Sequence, residues 1–410
     1  MSCYKFIIAI ALACTSCAHN PVSGKKELTL ISETQENQIG KANYNTMVQA
    51  QGGPFTADPE LVSYVQSVGK KVALESHRPH LAFDFVIIND STANAWALPG
   101  GKIAINRGLL TELSSEAELA AVLGHEIAHA AARHGAKGLE RGIFLQGGII
   151  ALGLATKNKS YNDILVSGAG LSAFLVTQKY SRAQELEADR VGMSYMTKAG
   201  YDPSAAVSLQ ETFLRLSGNK KGMWFENLFA SHPPSQERID ENKNTLTTLS
   251  CPTPFIGKDI YESKIRQLKE SEQTYKAVEK GADIQTIDKA IASYPNEALF
   301  WMARGNYLVA KNKLDDALKA YSQAVSLNDN YWASYLNRAK VYAALNKPLQ
   351  AKQDLKKSIS LLPTGESHEL LGRIYLQENN RQKAFDHLMI ASNAHSEAGI
   401  RAEQLLKRYF

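Results

Sequence analysis

The C-terminal third of the chain repeats itself, and that period narrows the possible folds more than any other feature. Trp301, Gly305, Ala317, Tyr321 and Ala324 are followed 34 residues later by Tyr335, Ala339, Ala351, Leu355 and Ser358. Gly372, Ala384, Leu388 and Ala391 come 33 residues after that. A period of this length, with small residues where two helices approach and large ones between hairpins, specifies stacked helical hairpins. Pro295 and Pro363 lie two periods apart at the ends of repeats, so Lys264 to Tyr294 is expected to form a degenerate preceding repeat. Stacks of this kind present a concave surface for peptides or partner proteins and rarely carry chemistry.

This is the tetratricopeptide (TPR) pattern, and it is expected over 264–410. Residues upstream read differently, with strand-like and helix-like segments alternating as far as about residue 250. A chain of 410 residues exceeds what one hydrophobic core usually organises. Two folded domains are therefore expected, over 18–250 and 264–410, joined by a linker at 251–263. The net charge of +5 is accounted for by 296–410, which holds 16 Lys and Arg against 11 Asp and Glu. So mild an excess over so long a segment argues against a nucleic-acid partner.

MSCYKFIIAIALACTSC, residues 1–17, has one early lysine, a short apolar run and small residues ending in cysteine. That is the layout of an export signal whose apolar core is too short to span a bilayer. It looks like a bacterial lipoprotein signal with Cys17 as the acylated residue; Cys14 and plain secretion are the alternatives. Beyond Cys17 only Cys251 remains, so with Cys17 acylated no internal disulfide can form.

His125 to Gly135 read HEIAHAAARHG. Ser115 and Glu118 form a capping-box pattern ahead of an apolar run, which predicts a helix through His134. On such a helix His125 and His129 differ by about 40° and can bind one zinc ion together. Glu126, one residue on from the first ligand, can take a proton from a water activated by the metal. His134 is about 180° round the helix from His125 and is expected to face away. A third ligand must then come from elsewhere. YSRAQELEADRVGMSYMTKAG, Tyr180 to Gly200, is a second helical pattern on which Glu185 and Asp189 share a face while Glu187 points about 160° away. Glu185 can complete a His2Glu site, and Asp189 can accept a hydrogen bond from the other ring nitrogen of a ligand histidine.

Five segments in order carry a resemblance: NPVSGKKELTLIS from Asn20, NAWALPGGKIAINRGLL from Asn94, AAVLGHEIAHAAARH from Ala120, YSRAQELEADRVG from Tyr180 and SHPPSQER from Ser231. Residues 20–240 resemble the HtpX-like, CAAX-protease-type family of zinc metallopeptidases. With a lipoprotein-like N-terminus and C-terminal TPRs, the chain is similar to its BepA-type periplasmic branch, which acts in outer-membrane protein quality control. The resemblance implies one zinc ion held by His125, His129 and Glu185, with Glu126 as general base. The fold it implies is α+β: a mainly helical, gluzincin-like peptidase domain with a small sheet, followed by the all-α TPR solenoid. It further implies a periplasmic location with a lipid anchor in the outer membrane, misassembled envelope proteins as substrates, and an assembly-machinery partner for the repeats.

Phe83 to Ile88 reads as a strand, and Asn94 to Ile105, with its Pro-Gly-Gly turn, as a turn feeding another. Asn94, Trp96, Pro99, Gly100 and Gly101 are the candidates for a strand that pairs with extended substrate through main-chain hydrogen bonds. After Pro234 a short helix is expected to place Arg238 near the metal as an oxyanion donor. His232 can play that same part, or act as a fourth zinc ligand that closes the site at rest. Gly142 to Thr156 and Ile164 to Thr177 are apolar and Gly-rich but short of the roughly 20 residues that span a bilayer; a segment packed over the active site is expected there. Two function classes follow, an active zinc endopeptidase and a chaperone-like lipoprotein whose metal site is structural or normally shut.

Overall fold

The computed structural model describes residues 17–142, 179–218 and 226–410. The leader with Cys14 and nearly all of the apolar 142–177 region lie outside these. Among the described residues no helix is long and apolar enough to cross a membrane. The chain divides into two compact units, one comprising residues up to 47 together with 60–270, the other 48–59 together with 271–410.

The first unit begins with a hairpin of β1 (Cys17–His19) and β2 (Lys26–Leu28), then α1 (Glu33–Ala50), whose last turn belongs to the second unit, and α2 (Pro59–Ala73). A three-stranded sheet follows. β3 (Asp84–Ile88) runs parallel to the central β5 (Lys102–Asn106), while β4 (Ala95–Leu98) pairs antiparallel with β5 and forms an edge. The two expected strands are thus present. The turn between β4 and β5 needs Gly100 and Gly101 in the left-handed region, at φ 78° and 79°, where a side chain would be strained.

After α3 (Arg107–Glu112), the helix α4 (Glu116–Ala131) is capped by Ser115, which accepts from Glu118 N at 3.1 Å, while Glu118 reaches back to Ser114 N at 2.7 Å. Nearly every residue of α4 is buried. It crosses α5 (Arg182–Lys198), which starts on a full capping box of Ser181 and Gln184. At the crossing Gly124 and Gly192 face each other so closely that a Cβ on Gly192 would lie 2.8 Å from Gly124 C and His125 N. α6 (Ser204–Gly218), α7 (Glu226–Ser231) and α8 (Gln236–Thr248) follow.

The helix expected to run through His134 instead stops at Ala131. Arg133 takes φ 63°, a conformation uncommon outside glycine and Asn. Its guanidinium overdetermines it, donating to Glu36 at 2.7 Å, to Ile31 O and to Thr29. Glu36 is also bound by buried Arg78 at 2.6 Å, and Glu140 accepts from the Leu30 and Ile31 amides. The segment quoted from Asn20 is thereby tied to the end of the α4 helix.

Residues 251–263, expected as a linker, pack within the first unit. Phe255 pairs with Tyr201, Ile256 O accepts from Ala117 N at 3.0 Å, and buried Tyr261, in α9 (Lys258–Glu279), donates to Leu110 O at 2.6 Å. Their apolar side chains and hydrogen bonds cap the start of α4, which composition alone did not reveal.

The second unit holds the end of α9 and α10 (Ile284–Ser293), then hairpins of α11 (Ala298–Ala310) with α12 (Leu314–Leu327), α13 (Trp332–Ala344) with α14 (Pro348–Leu361), and α15 (Gly365–Gln377) with α16 (Arg381–Ser392); α17 (Glu397–Tyr409) packs on the last. Ala317, Ala339, Ala351, Ala384 and Ala391 are fully buried, as the repeat pattern requires. Each hairpin turns on an asparagine with positive φ, at Asn312, Asn346 and Asn379, a residue that tolerates the left-handed region. Gln49 belongs to this unit, bonding Asn330 O at 2.6 Å and accepting from Trp332 N at 3.0 Å.

Buried His368 on α15 meets His387 of α16 at 2.9 Å between Nδ1 atoms. Burial, with the neighbouring His387, lowers the His368 imidazole to about 4. The unfolded chain takes up that proton near 6.5, so this stabilising contribution is intact above pH ~6.5 and is lost as pH falls toward 4. Replacing His368 with Asn is expected to flatten the fall of the melting temperature over that interval, which thermal melts of the full chain will measure.

Candidate metal centre

Helix spacing places His125 and His129 on one face of α4, and the close crossing at Gly124 and Gly192 brings Glu185 of α5 opposite them. His125 Nε2 lies 3.0 Å from His129 Nε2 and 3.5 Å from Glu185 Oε2; His129 Nε2 lies 3.3 Å from Glu185 Oε1. His232, at the end of the short α7 and ahead of α8, turns its Nδ1 to the same point, 3.2 Å from His125 Nε2 and 3.1 Å from Glu185 Oε1. These four residues form a group whose ligand atoms lie within 4.8 Å of one another. Zinc with N and O ligands at about 2.0–2.1 Å in a tetrahedron sets its donors about 3.3 Å apart, so the donor set fits that ion in number, chemistry and spacing.

The surroundings keep each donor in place. Asp189 Oδ1 stands 2.9 Å from His125 Nδ1. Burial works to raise the Asp189 carboxyl, but Arg238 and His125 outweigh it and hold it below the usual range. Glu185 is likewise held well down against the cost of burial by His232 and His125. Burial also works against charge on His125, yet Asp189 and Glu185 draw it upward.

Arg238, expected as an oxyanion donor, is committed elsewhere. Its Nε and Nη2 clasp Asp189 at 2.7 Å each, and Nη1 lies 2.9 Å from Glu185 Oε2 and 3.2 Å from Pro233 O. The α8 start, capped by Ser235, points the guanidinium across the site at the carboxylates, so it orients and neutralises them. His232 Nδ1 lies among the candidate donor atoms.

Glu126 points into the site beside this cluster. His232 Nε2 is 3.6 Å from its Oε1, and its Oε2 has no hydrogen-bond partner among the described residues. Burial raises its pKa even though His232 and His125 oppose the shift, which suits a group that must both take and return a proton. The cavity that His125, Glu126, Asp189, His232 and Arg238 line has an apolar wall that includes Met193, Leu209, Phe213 and Leu228, and Ala95 of the edge strand β4 reaches it. Asn94, Trp96, Pro99, Gly100 and Gly101 do not line it. Trp96 packs edge-on against Tyr44 at 6.2 Å, and Pro99 O lies where a Cβ on Gly40 of α1 would fall.

One site residue escaped the sequence reading, and another, outside the donor group as expected, stands elsewhere than foreseen. Tyr180 stacks on the His129 ring with centroids 3.9 Å apart, and its place just ahead of the Ser181 capping box was the available signal. His134, far from facing away, stands 2.9 Å behind His129, between the two Nδ1 atoms. Substituting Gly192 with Val is expected to force α4 and α5 apart, destabilising the chain by about 1–3 kcal/mol and lowering zinc affinity; calorimetric melts and zinc titration check this.

Residues 59–246 match Peptidase family M48, and 333–364 match the tetratricopeptide repeat. The chain is 23% identical over 405 residues to the Beta-barrel assembly-enhancing protease of Escherichia coli (strain K12), covering 88% of this chain and 81% of that one. It is 32% identical over 169 residues to the Mitochondrial metalloendopeptidase OMA1 of Arabidopsis thaliana, covering 41% of this chain and 33% of that protein. With OMA1 of Schizosaccharomyces pombe the identity is 32% over 221 residues, 53% of this chain and 63% of that one. The chain therefore spans only a third of the plant relative but most of the bacterial one.

Proposed function

We propose that this chain, which carries a peptidase family M48 domain and a tetratricopeptide repeat region, is a zinc-dependent endopeptidase of the bacterial cell envelope that degrades misfolded or misassembled exported proteins. The observation that carries the reading is the His125, His129 and Glu185 donor set with the buried carboxylate of Glu126 beside it. A bound zinc ion supplies Lewis-acid polarisation of a water and of the scissile carbonyl. Glu126 takes the proton of the attacking water and delivers it to the leaving amine. Asp189 holds the orientation of His125, and Arg238 fixes both carboxylates so that neither swings into the cavity.

Substrate would lie extended beside the cavity, where main-chain pairing is indifferent to sequence, and an apolar side chain would enter the cavity against Leu209 and Phe213. Acylation of Cys17 would tether the protein to the outer membrane on its periplasmic side, and the repeats would dock it to a partner protein or present substrate. Similarity along most of the chain to a protein described as a beta-barrel assembly-enhancing protease supports outer-membrane assembly as the setting.

A second reading rests on His232. With His232 as a fourth donor a bound metal would be closed off from water, and the chain would serve as a binding or chaperone-like lipoprotein until His232 withdraws. Measuring bound zinc and casein cleavage separates the readings. Wild type, Glu126→Gln and His232→Ala are expected to hold one zinc each. Glu126→Gln should lose cleavage by about 10²-fold or more, while His232→Ala should cleave at least as fast as wild type. Zinc without cleavage in both wild type and His232→Ala would falsify the enzyme reading.

A further inference from the structure

We propose that His134 and Glu187 are positioning residues for the metal centre: a hydrogen-bonded chain from Glu187 through His134 fixes the tautomer of His129, so that its Nε2 lone pair faces the ion. The inference rests on the zinc-site reading above and concerns two residues outside the donor set. His129 and His134 are 1% and 0% exposed, so neither can find its hydrogen-bond partners in bulk water. His129 turns Nε2 toward His125 and Glu185, and its Nδ1 meets His134 Nδ1 at 2.9 Å. At the far side of the His134 ring, Nε2 lies 3.0 Å from Glu187 Oε2.

With a metal ion taking the Nε2 lone pair of His129 in place of the contact to Glu185 Oε1, one distribution of hydrogens among neutral rings satisfies the remaining two contacts. A carboxylate accepts and cannot donate, so His134 must carry its hydrogen on Nε2 and offer Nδ1 as an acceptor. His129 then has to place its hydrogen on Nδ1, which leaves Nε2 free as a ligand atom. The opposite tautomer of His134 would set a lone pair against the Glu187 carboxylate and force a hydrogen onto His129 Nε2, where it would block the metal. Glu187 thus selects the ligand form of His129 from two bonds away, as Asp189 does directly for His125. The break in α4 makes this possible, because the positive φ of Arg133 swings His134 back behind His129 where a continuous helix would carry it off.

The test is the zinc affinity of the full chain, measured by chelator competition starting from metal-free protein, with melting of the metal-free form as the control for folding. His134→Phe keeps bulk and removes the acceptor; it is expected to weaken zinc binding roughly 10- to 100-fold. Asn at this position restores an acceptor near Nδ1, so His134→Asn should recover most of the affinity that Phe loses. Glu187→Ala, at a half-exposed site, tests the same chain without a core substitution and should weaken binding as well. Wild-type affinity in folded His134→Phe, or in Glu187→Ala should His134→Phe not fold, overturns the proposal; so does an Asn variant no better than Phe. Failure of wild type to bind zinc would instead remove the underlying site.

Discussion

The contact between Gly124 and Gly192 is the constraint on which the metal centre depends. Two helices that cross with ordinary side chains between them stand 8–10 Å apart, and a longer separation would carry Glu185 away from His125 and His129. Removing both side chains at the crossing point lets backbone meet backbone, with α5 laid at Gly192 across the middle of α4. Sequence neighbours then fall into place without further adjustment. His125 follows Gly124 directly, and Asp189 precedes Gly192 by nearly one turn, so the carboxylate arrives at the ring it must orient. The site is built mainly from helix geometry, with His232 and Tyr180 added from outside the helices.

Concentrating this much charge in a buried place has an energetic cost, since ionised carboxylates stripped of water are unfavourable unless paired. Three carboxylates, Glu126, Glu185 and Asp189, are buried within this one site. Arg238 compensates two of them at once, and the histidines contribute the rest when protonated. A divalent cation among the donors would relieve the same repulsion more fully. Among the described residues Glu126 is the member with one oxygen that has no hydrogen-bond partner.

Much of this was readable from residue spacing because helices are periodic. That His125 shares a face with His129, and Glu185 with Asp189 while Glu187 does not, follows from 100° per residue; that Glu185 is the ligand came with the family resemblance. Periodicity failed at His134, where the argument assumed an unbroken helix; the break is imposed by Arg133 and its distant partners Glu36 and Ile31, which local sequence cannot announce. Residues 251–263 misled for a related reason, since a Pro-rich, turn-like composition says nothing about what a segment packs against. In the repeats the alanines and glycines gave the hairpins, while the equally periodic asparagines at 312, 346 and 379 carried a second signal that spacing of apolar residues overlooks.

The two ends of the motif HEIAHAAARH do different work, and the difference explains its composition. Its first five residues need a continuous helix, because two ligands and a base must share a face. Its last residues need the helix to end, because His134 serves the metal only from behind His129. The alanines between them, buried and nearly without side chains, let the chain leave the helix in a crowded interior, and Arg133 supplies the energy for the unfavourable turn through charged contacts with the N-terminal segment. On this reading the N-terminal stretch from Asn20 to Ser32, remote from the metal in sequence, is part of what holds the centre together. A mutation there that frees Arg133 would act on His134 first and on the zinc ligand His129 through it.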